Sequence, residues 1–180
     1  ALAFGFKHAT FLCLLSKNLR YPYIKSEGGK RFDKMYRSYE IPKKSGGKRV
    51  ITEPYGPLKS LQRSILALGL SRVTIHPSTT GFVRGKSIVD NALPHIGKPL
   101  VVNADIRGFF PQTEFKLIRQ AADQIGPDAL SENARWFLAE LLAYDGGLPA
   151  GAPTSPSVAN VILCPMDKVL FKACVKIGVN

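Results

Sequence analysis

Apolar residues at three- and four-residue spacing mark helices along most of this chain, and breaks in that rhythm mark strands. Phe4, Phe11, Leu12, Leu14, Leu15 and Leu19, set between Lys7, Lys17 and Arg20, suit a helix packed on one face over residues 1–20, stopped by Tyr21-Pro22. Residues 25–37 show no period around Gly28-Gly29 and are expected to form a basic, solvated linker. From Tyr39 the pattern becomes a hairpin. Strands near Tyr39 to Lys43 and Lys48 to Glu53 flank Ser45-Gly46-Gly47, whose glycines permit positive φ. Leu58, Leu61, Ile65, Leu66 and Leu68 then predict a helix over 57–70, with Pro57 at its start and Gln62 and Arg63 facing out. Ser87 is placed to cap a short helix through Ile88, Val89 and Asn91 to His95.

The stretch Leu100 to Pro111, LVVNADIRGFFP, organises the rest. β-Branched Val101 and Val102 predict a buried strand, and Pro111 forbids further ladder pairing. Phe115, Ile118, Ala121, Ala122 and Ile125 follow at helical spacing, from a start at Thr113 and Glu114 to a stop at Gly126-Pro127. Ser131 caps another helix through Trp136, Phe137, Leu138, Leu141 and Leu142, ending near Gly146-Gly147. Gly151 and Pro153 fix an extended loop. A long helix then starts at Thr154 or Ser155 with Pro156 behind it, and is expected to kink at Pro165. The sum is a mixed α+β chain.

Composition narrows the class. The 180 residues suffice for one domain or the greater part of two small ones, and 45% apolar content makes the chain globular. No apolar run is long enough to span a membrane. Lys7 and His8 break the opening too early for a signal peptide, and with no initiator methionine the chain reads as a piece of something longer. Cys13, Cys164 and Cys174 form no ligand-like pair, which favours a reducing, cytosolic setting. A net charge of +12 calls for a polyanionic partner, and nucleic acid is the one it fits; a merely solvated basic surface is the plainer alternative.

Candidate chemistry concentrates in a few places. Lys43, Lys44, Lys48 and Arg49 crowd on the hairpin, either to hold a triphosphate or nucleic-acid backbone or to blunt an exposed strand edge. Asp105 ends an apolar strand, where a carboxylate holds a metal, finds a partner or caps the next helix. Arg84 and Lys86 flank Gly85 in a loop that opens at His76-Pro77. The histidines lie at no metal-ligand spacing from one another or from a cysteine. Gly151, ahead of a helix N-terminus, suits a phosphate or a templated base pair, though many helices start this way for stability alone.

In this order the stretches resemble a reverse transcriptase, most closely the bacterial retron type. YEIPKKSGGKRVI resembles the first fingers motif, HPSTTGFVRGKSIVDNA the second, VVNADIRGFF the palm motif with the first catalytic aspartate, and LPAGAPTSPSVAN the palm motif that follows. The likeness spans residues 39–160 without a break. Asn91, Ala92 and His95 fit the NAxxH signature of retron enzymes, which separates them from group II intron maturases.

The resemblance implies a right-hand polymerase: an N-terminal helical region and basic linker over 1–38, fingers over 39–98, and over 99–180 part of a palm with an antiparallel sheet and packed helices. It implies Mg²⁺ held by Asp105 and the Ile106 carbonyl in a two-metal nucleotidyl transfer. Lys48 or Arg49 would hold the triphosphate, Phe110 would be the aromatic gate against a ribose 2′-OH, and Ala150 and Gly151 would shape the nucleotide pocket. Arg84 and Lys86, with Lys43 and Lys44, would meet nucleic acid. The implied partners are a retron noncoding RNA as template and primer, dNTPs, the DNA product and the remainder of the polymerase, in the bacterial cytoplasm, without a membrane and with a role in antiphage defence.

Two departures stand out. The family's LPQG reads LPAG here, so Ala150 removes an amide near the nucleotide. The chain also stops at Asn180, before the expected YADD hairpin, so the 180 residues alone are expected to be inactive: one carboxylate does not hold two divalent cations. The rival readings are a group II intron-type reverse transcriptase and a non-catalytic nucleic-acid-binding module of the same fold.

Overall fold

A computed structural model describes residues 33–43, 46–125 and 130–178. The expected helix over 1–20, Lys44, Ser45 and the Gly126-Pro127 stop lie outside the described residues. Strands β1 (Tyr36–Pro42) and β2 (Lys48–Pro54) pair antiparallel, Tyr36 opposite Pro54 and Pro42 opposite Lys48. Gly46 and Gly47 take φ of 87° and 81° in the turn between them, the conformation their missing Cβ allows. Among the described residues six α-helices follow: α1 (Gly56–Leu68), α2 (Ile88–Ala92), α3 (Phe109–Gln112), α4 (Phe115–Ile125), α5 (Glu132–Leu142) and α6 (Ser155–Lys176).

One core holds β1, α1, α4, α5 and α6 together, and α2 lies outside it. Leu58, Leu61 and Ile65 of α1 meet Ile118, Ala121 and Ala122 of α4, Leu138, Leu141 and Leu142 of α5, and Val158 and Val161 of α6. The positions read in α4 at Ile118, Ala121, Ala122 and Ile125 are buried, as are Leu138, Leu141 and Leu142 in α5, with Glu140 buried among them. α5 ends at Leu142, short of Gly146-Gly147, and Ser131 caps it by accepting from the Ala134 N–H at 3.3 Å. Ser87 caps α2 in a reciprocal capping box with Asp90. α6 continues through Pro165, which has no N–H to give the Val161 carbonyl.

Three expectations are corrected. The linker over 25–37 ends early, because Tyr36 is only 7% exposed and already belongs to β1 and the core. Gln62 does not face out. It is fully buried, its Nε2 donating to Tyr36 Oη and to the Leu141 carbonyl, each at 2.8 Å, so its amide ties β1 to α1 and α5; Leu68 is the residue left exposed. α6 starts at Ser155 with Pro156 behind it, as its sequence predicts; the Thr154 hydroxyl makes no cap bond, and Ser155 Oγ donates to the Pro149 carbonyl at 2.7 Å. The largest correction concerns Leu100 to Ile106, which is neither a strand nor buried: Leu100 is 78% and Val102 81% exposed. A strand needs a neighbour for its N–H and C=O groups, and no described segment pairs with this one. β1–β2 is accordingly the one sheet among the described residues, and no palm sheet forms within them.

Candidate nucleotide site and adjoining cleft

Three of the sequence motifs meet at the loop that runs from Gly147 to Gly151. The loop begins at a tight turn, in which Tyr144 and Gly147 bridge each other through Asp145 and Gly146 at φ of 46° and 78°. Two positive φ values in an Asp-Gly pair are the mark of a type I′ turn, whose twist suits a hairpin. Tyr144 packs edge-on against Tyr36 with ring centroids 5.1 Å apart, and the Asp145 N–H donates to Asp33 Oδ1 at 3.1 Å. The loop therefore leaves the core from a fixed point.

From there it is pinned along its length. The Leu148 N–H donates to the Phe110 carbonyl at 2.9 Å, the Pro149 carbonyl accepts from Ser155, and the Gly151 N–H donates to the Thr52 carbonyl at 3.0 Å. The last bond reaches the edge of β2 that β1 leaves free, since Thr52 and Ser38 form a pair without mutual backbone bonds. Space is as tight as the bonding. A Cβ at Gly147 would lie 2.8 Å from the Pro111 carbonyl oxygen, and one at Gly151 would lie 2.7 Å from that of Thr52 and 3.0 Å from Ile51 Cγ2. Leu148 and Pro149 are buried, which leaves Ala150 as the side chain that the loop turns outward.

On one side of the loop stands Phe110, half-buried at the start of α3, with Phe109 edge-on at 6.2 Å. Gly108, at φ 61°, precedes them and makes the reversal out of the Asp105 segment. On the other side stands the ribbon, where alternation puts Lys48 and Arg49 on opposite faces. Lys48 Nζ pairs with Glu40 Oε2 at 2.6 Å. Arg49 shares its face with Ile51, the residue that abuts Gly151, and is exposed. At the ribbon base Glu53 accepts from Lys59 and from Arg37, and these two cations, Lys59 first, hold its carboxyl down at about 2.

Asp105 is exposed beside Ile106 and Arg107. The other carboxylates of these motifs are engaged elsewhere. Asp90 accepts from the Ser87 hydroxyl and N–H, which lowers its pKa, and Asp167 accepts from Thr79 Oγ1 at 3.1 Å. Among the described residues no group of three or more His, Cys, Asp or Glu side chains is placed to hold a metal ion. One carboxylate and one carbonyl do not satisfy two hard divalent cations, so these residues do not by themselves fit a two-cation centre.

A cleft of about 810 Å³ lies between the end of α1, the loop after Val73 and the start of α6; Leu70, Val83, Pro156 and Val161 are among its walls. Asn160 Nδ2 holds the loop to α6 by donating to the Gly81 carbonyl at 2.8 Å, and His76 packs against Phe171 at 5.1 Å. Arg84 lines the cleft, while Lys86 is exposed just past Gly85. Phe82, which the sequence reading passed over, lines it too, 78% exposed and held at φ 57°. Its signal was an aromatic between two loop glycines beside an arginine. Of the NAxxH residues, Asn91 accepts from Thr80 Oγ1 at 3.0 Å, and Ala92 and His95 are exposed on α2 and the turn after it. Lys43 is exposed where the turn begins.

No family model matches the chain. Its sequence is 36% identical over 158 residues to the Retron Mx162 reverse transcriptase and 35% over 151 residues to the Retron Mx65 reverse transcriptase, both of Myxococcus xanthus. It is 34% identical over 137 residues to the Retron Ec86 reverse transcriptase of Escherichia coli. These matches cover 79%, 75% and 75% of the chain, which spans 33%, 35% and 42% of the respective relatives.

Proposed function

In sequence the chain is of the retron reverse-transcriptase type, and from that premise we propose that the protein is an RNA-directed DNA polymerase, copying a structured noncoding RNA into DNA. The observation that carries the reading is the pinned loop. It sets the Phe110 turn and the basic ribbon on either side of one outward position, Ala150, and so gives the site two walls and a floor.

In this reading residues 39–98 are fingers and 99–180 part of a palm. Arg49 is the better candidate of the ribbon pair for the triphosphate, because Lys48 is already paired with Glu40 on the far face. The Phe110 ring stands against a ribose 2′-OH. With alanine at 150 the floor offers shape and no amide. Phe82 stacks a template base at the mouth of the cleft and Arg84 and Lys86 take the template phosphates, the combination of π-face and cations that single strands need. Asp105 and the Ile106 carbonyl contribute to a site for paired Mg²⁺, whose other carboxylates come from outside these residues; the bound ions would activate a hydroxyl and steady pyrophosphate. A role in antiphage defence and a place in the bacterial cytoplasm rest on the resemblance alone. Among the described residues no helix is long and apolar enough to cross a membrane.

The isolated carboxylate and Ala150 are what favour the second reading, a nucleic-acid-binding module without synthesis. One assay separates the two: full-length protein with Mg²⁺, its RNA and dNTPs. DNA synthesis is expected, and Asp105→Asn should abolish it without moving the thermal midpoint, since the side chain is exposed. Synthesis that survives this change would sink the Asp105 assignment; RNA binding without synthesis in the unaltered protein would establish the binding module.

A further inference from the structure

The Gly147–Gly151 loop does more than floor a pocket. Its two ends are bonded to the two walls, the Phe110 carbonyl at one end and the Thr52 carbonyl at the other, and both glycines sit where a methyl group would collide with backbone oxygen. Backbone oxygens cannot swing aside as a side chain does, so a Cβ at either end must push its wall away. Between the ends Ser155 Oγ holds the Pro149 carbonyl, which keeps the loop from bowing. The turn at Asp145-Gly146 and the contact of Tyr144 with Tyr36 fix the origin. The span from Phe110 to β2 is thus set by the four residues Leu148 to Gly151, held at both ends and in the middle.

We propose that this loop is a spacer for sugar selection: Gly147, Gly151 and Ser155 are positioning residues that fix how far the Phe110 ring stands from the ribbon, and so whether a ribose 2′-OH fits between them. The inference rests on the reading of Phe110 as the gate. A gate excludes one oxygen atom, so a displacement of its opposite wall by about an ångström is enough to admit it, and misplacements of that size cost up to about a hundredfold in rate.

The test uses full-length protein with its RNA template and Mg²⁺, and measures kcat/KM for a dNTP and for the matching rNTP. Phe110→Val should lower the dNTP-over-rNTP ratio and establishes the gate. Gly151→Ala and Gly147→Ala should each lower that ratio by about tenfold or more, chiefly through a raised kcat/KM for the rNTP as its 2′-OH is admitted. Ser155→Ala keeps the shape of the side chain, removes only the middle pin, and should lower the ratio less. Ile118→Ala, a truncation in α4 remote in sequence from the loop, should lower the thermal midpoint and leave the ratio unmoved. If a glycine variant does not fold, Ser155→Ala decides. A relaxed ratio in Phe110→Val with an unchanged one in the folded loop variants overturns the spacer and spares the gate. An unchanged ratio in Phe110→Val overturns both.

Discussion

Leu138 to Ala143 and Arg84 to Gly108 are opposite solutions to the same problem. Every residue of the first stretch is buried; of the second, none is, although it carries Ile88, Val89, Leu93, Ile96, Leu100, Val101, Val102 and Ile106. The first earns its conformation from contacts on all sides. The second keeps its form through local devices: the Ser87–Asp90 capping box, the Thr80–Asn91 bond and the glycine reversals at 85, 97 and 108. Asp105 and the NAxxH residues all lie in the second stretch. Asp105 and these signature residues are therefore borne by backbone that contributes little to the stability of the core, which separates folding from function there, whereas Phe110 and the loop it meets are tied to the core.

Stability measurements put that contrast to the test. The largest effect belongs to the core: Leu58→Ala, at a fully buried site on α1, should cost about 2–5 kcal/mol in chemical denaturation. A loss under 1 kcal/mol would mean that the ribbon and helices do not share one core.

The ribbon base should behave in between, and through pH. Glu53 is held from its ordinary 4.5 down to about 2 by Lys59 and Arg37. A depressed carboxyl stabilises the fold above its unfolded value, and that contribution fades as pH falls from about 4.5 toward 2. Asp90, also lowered, acts in the same direction. Thermal midpoints recorded across this window should decline, and Glu53→Gln should flatten part of the decline; an identical slope in the variant would remove Glu53 from the account.

The smallest effect is expected at Val102→Ser, which should change stability by no more than about 0.5 kcal/mol because the side chain is already in water. A large loss there would show that the exposed stretch is packed in the full protein, and would overturn the contrast for that setting.

Legibility followed the same division. The helices of the core were readable because burial repeats every three or four residues, and Ile118, Ala121, Ala122 and Ile125 are buried as their spacing requires. Gln62 was misread because its polar head argues for solvent, and only the neighbouring Tyr36 hydroxyl and Leu141 carbonyl make burial affordable. Val101 and Val102 were misread for the converse reason: β-branched residues favour a strand but cannot form one without a neighbour.

The order of motifs, the amphipathic helices and the glycine turn of the ribbon follow from residues close together along the chain, and the excess of positive charge from composition alone. Only the folded arrangement sets Lys48 beside Glu40 and Arg49 beside Ile51, stands Phe82 at a cleft, and bonds the Phe110 turn to β2 through Leu148 and Gly151. Those are relations between segments as far apart as residues 52 and 151, brought together by a hydrogen bond from one backbone to another, and a backbone donor is the same group whatever side chain it carries.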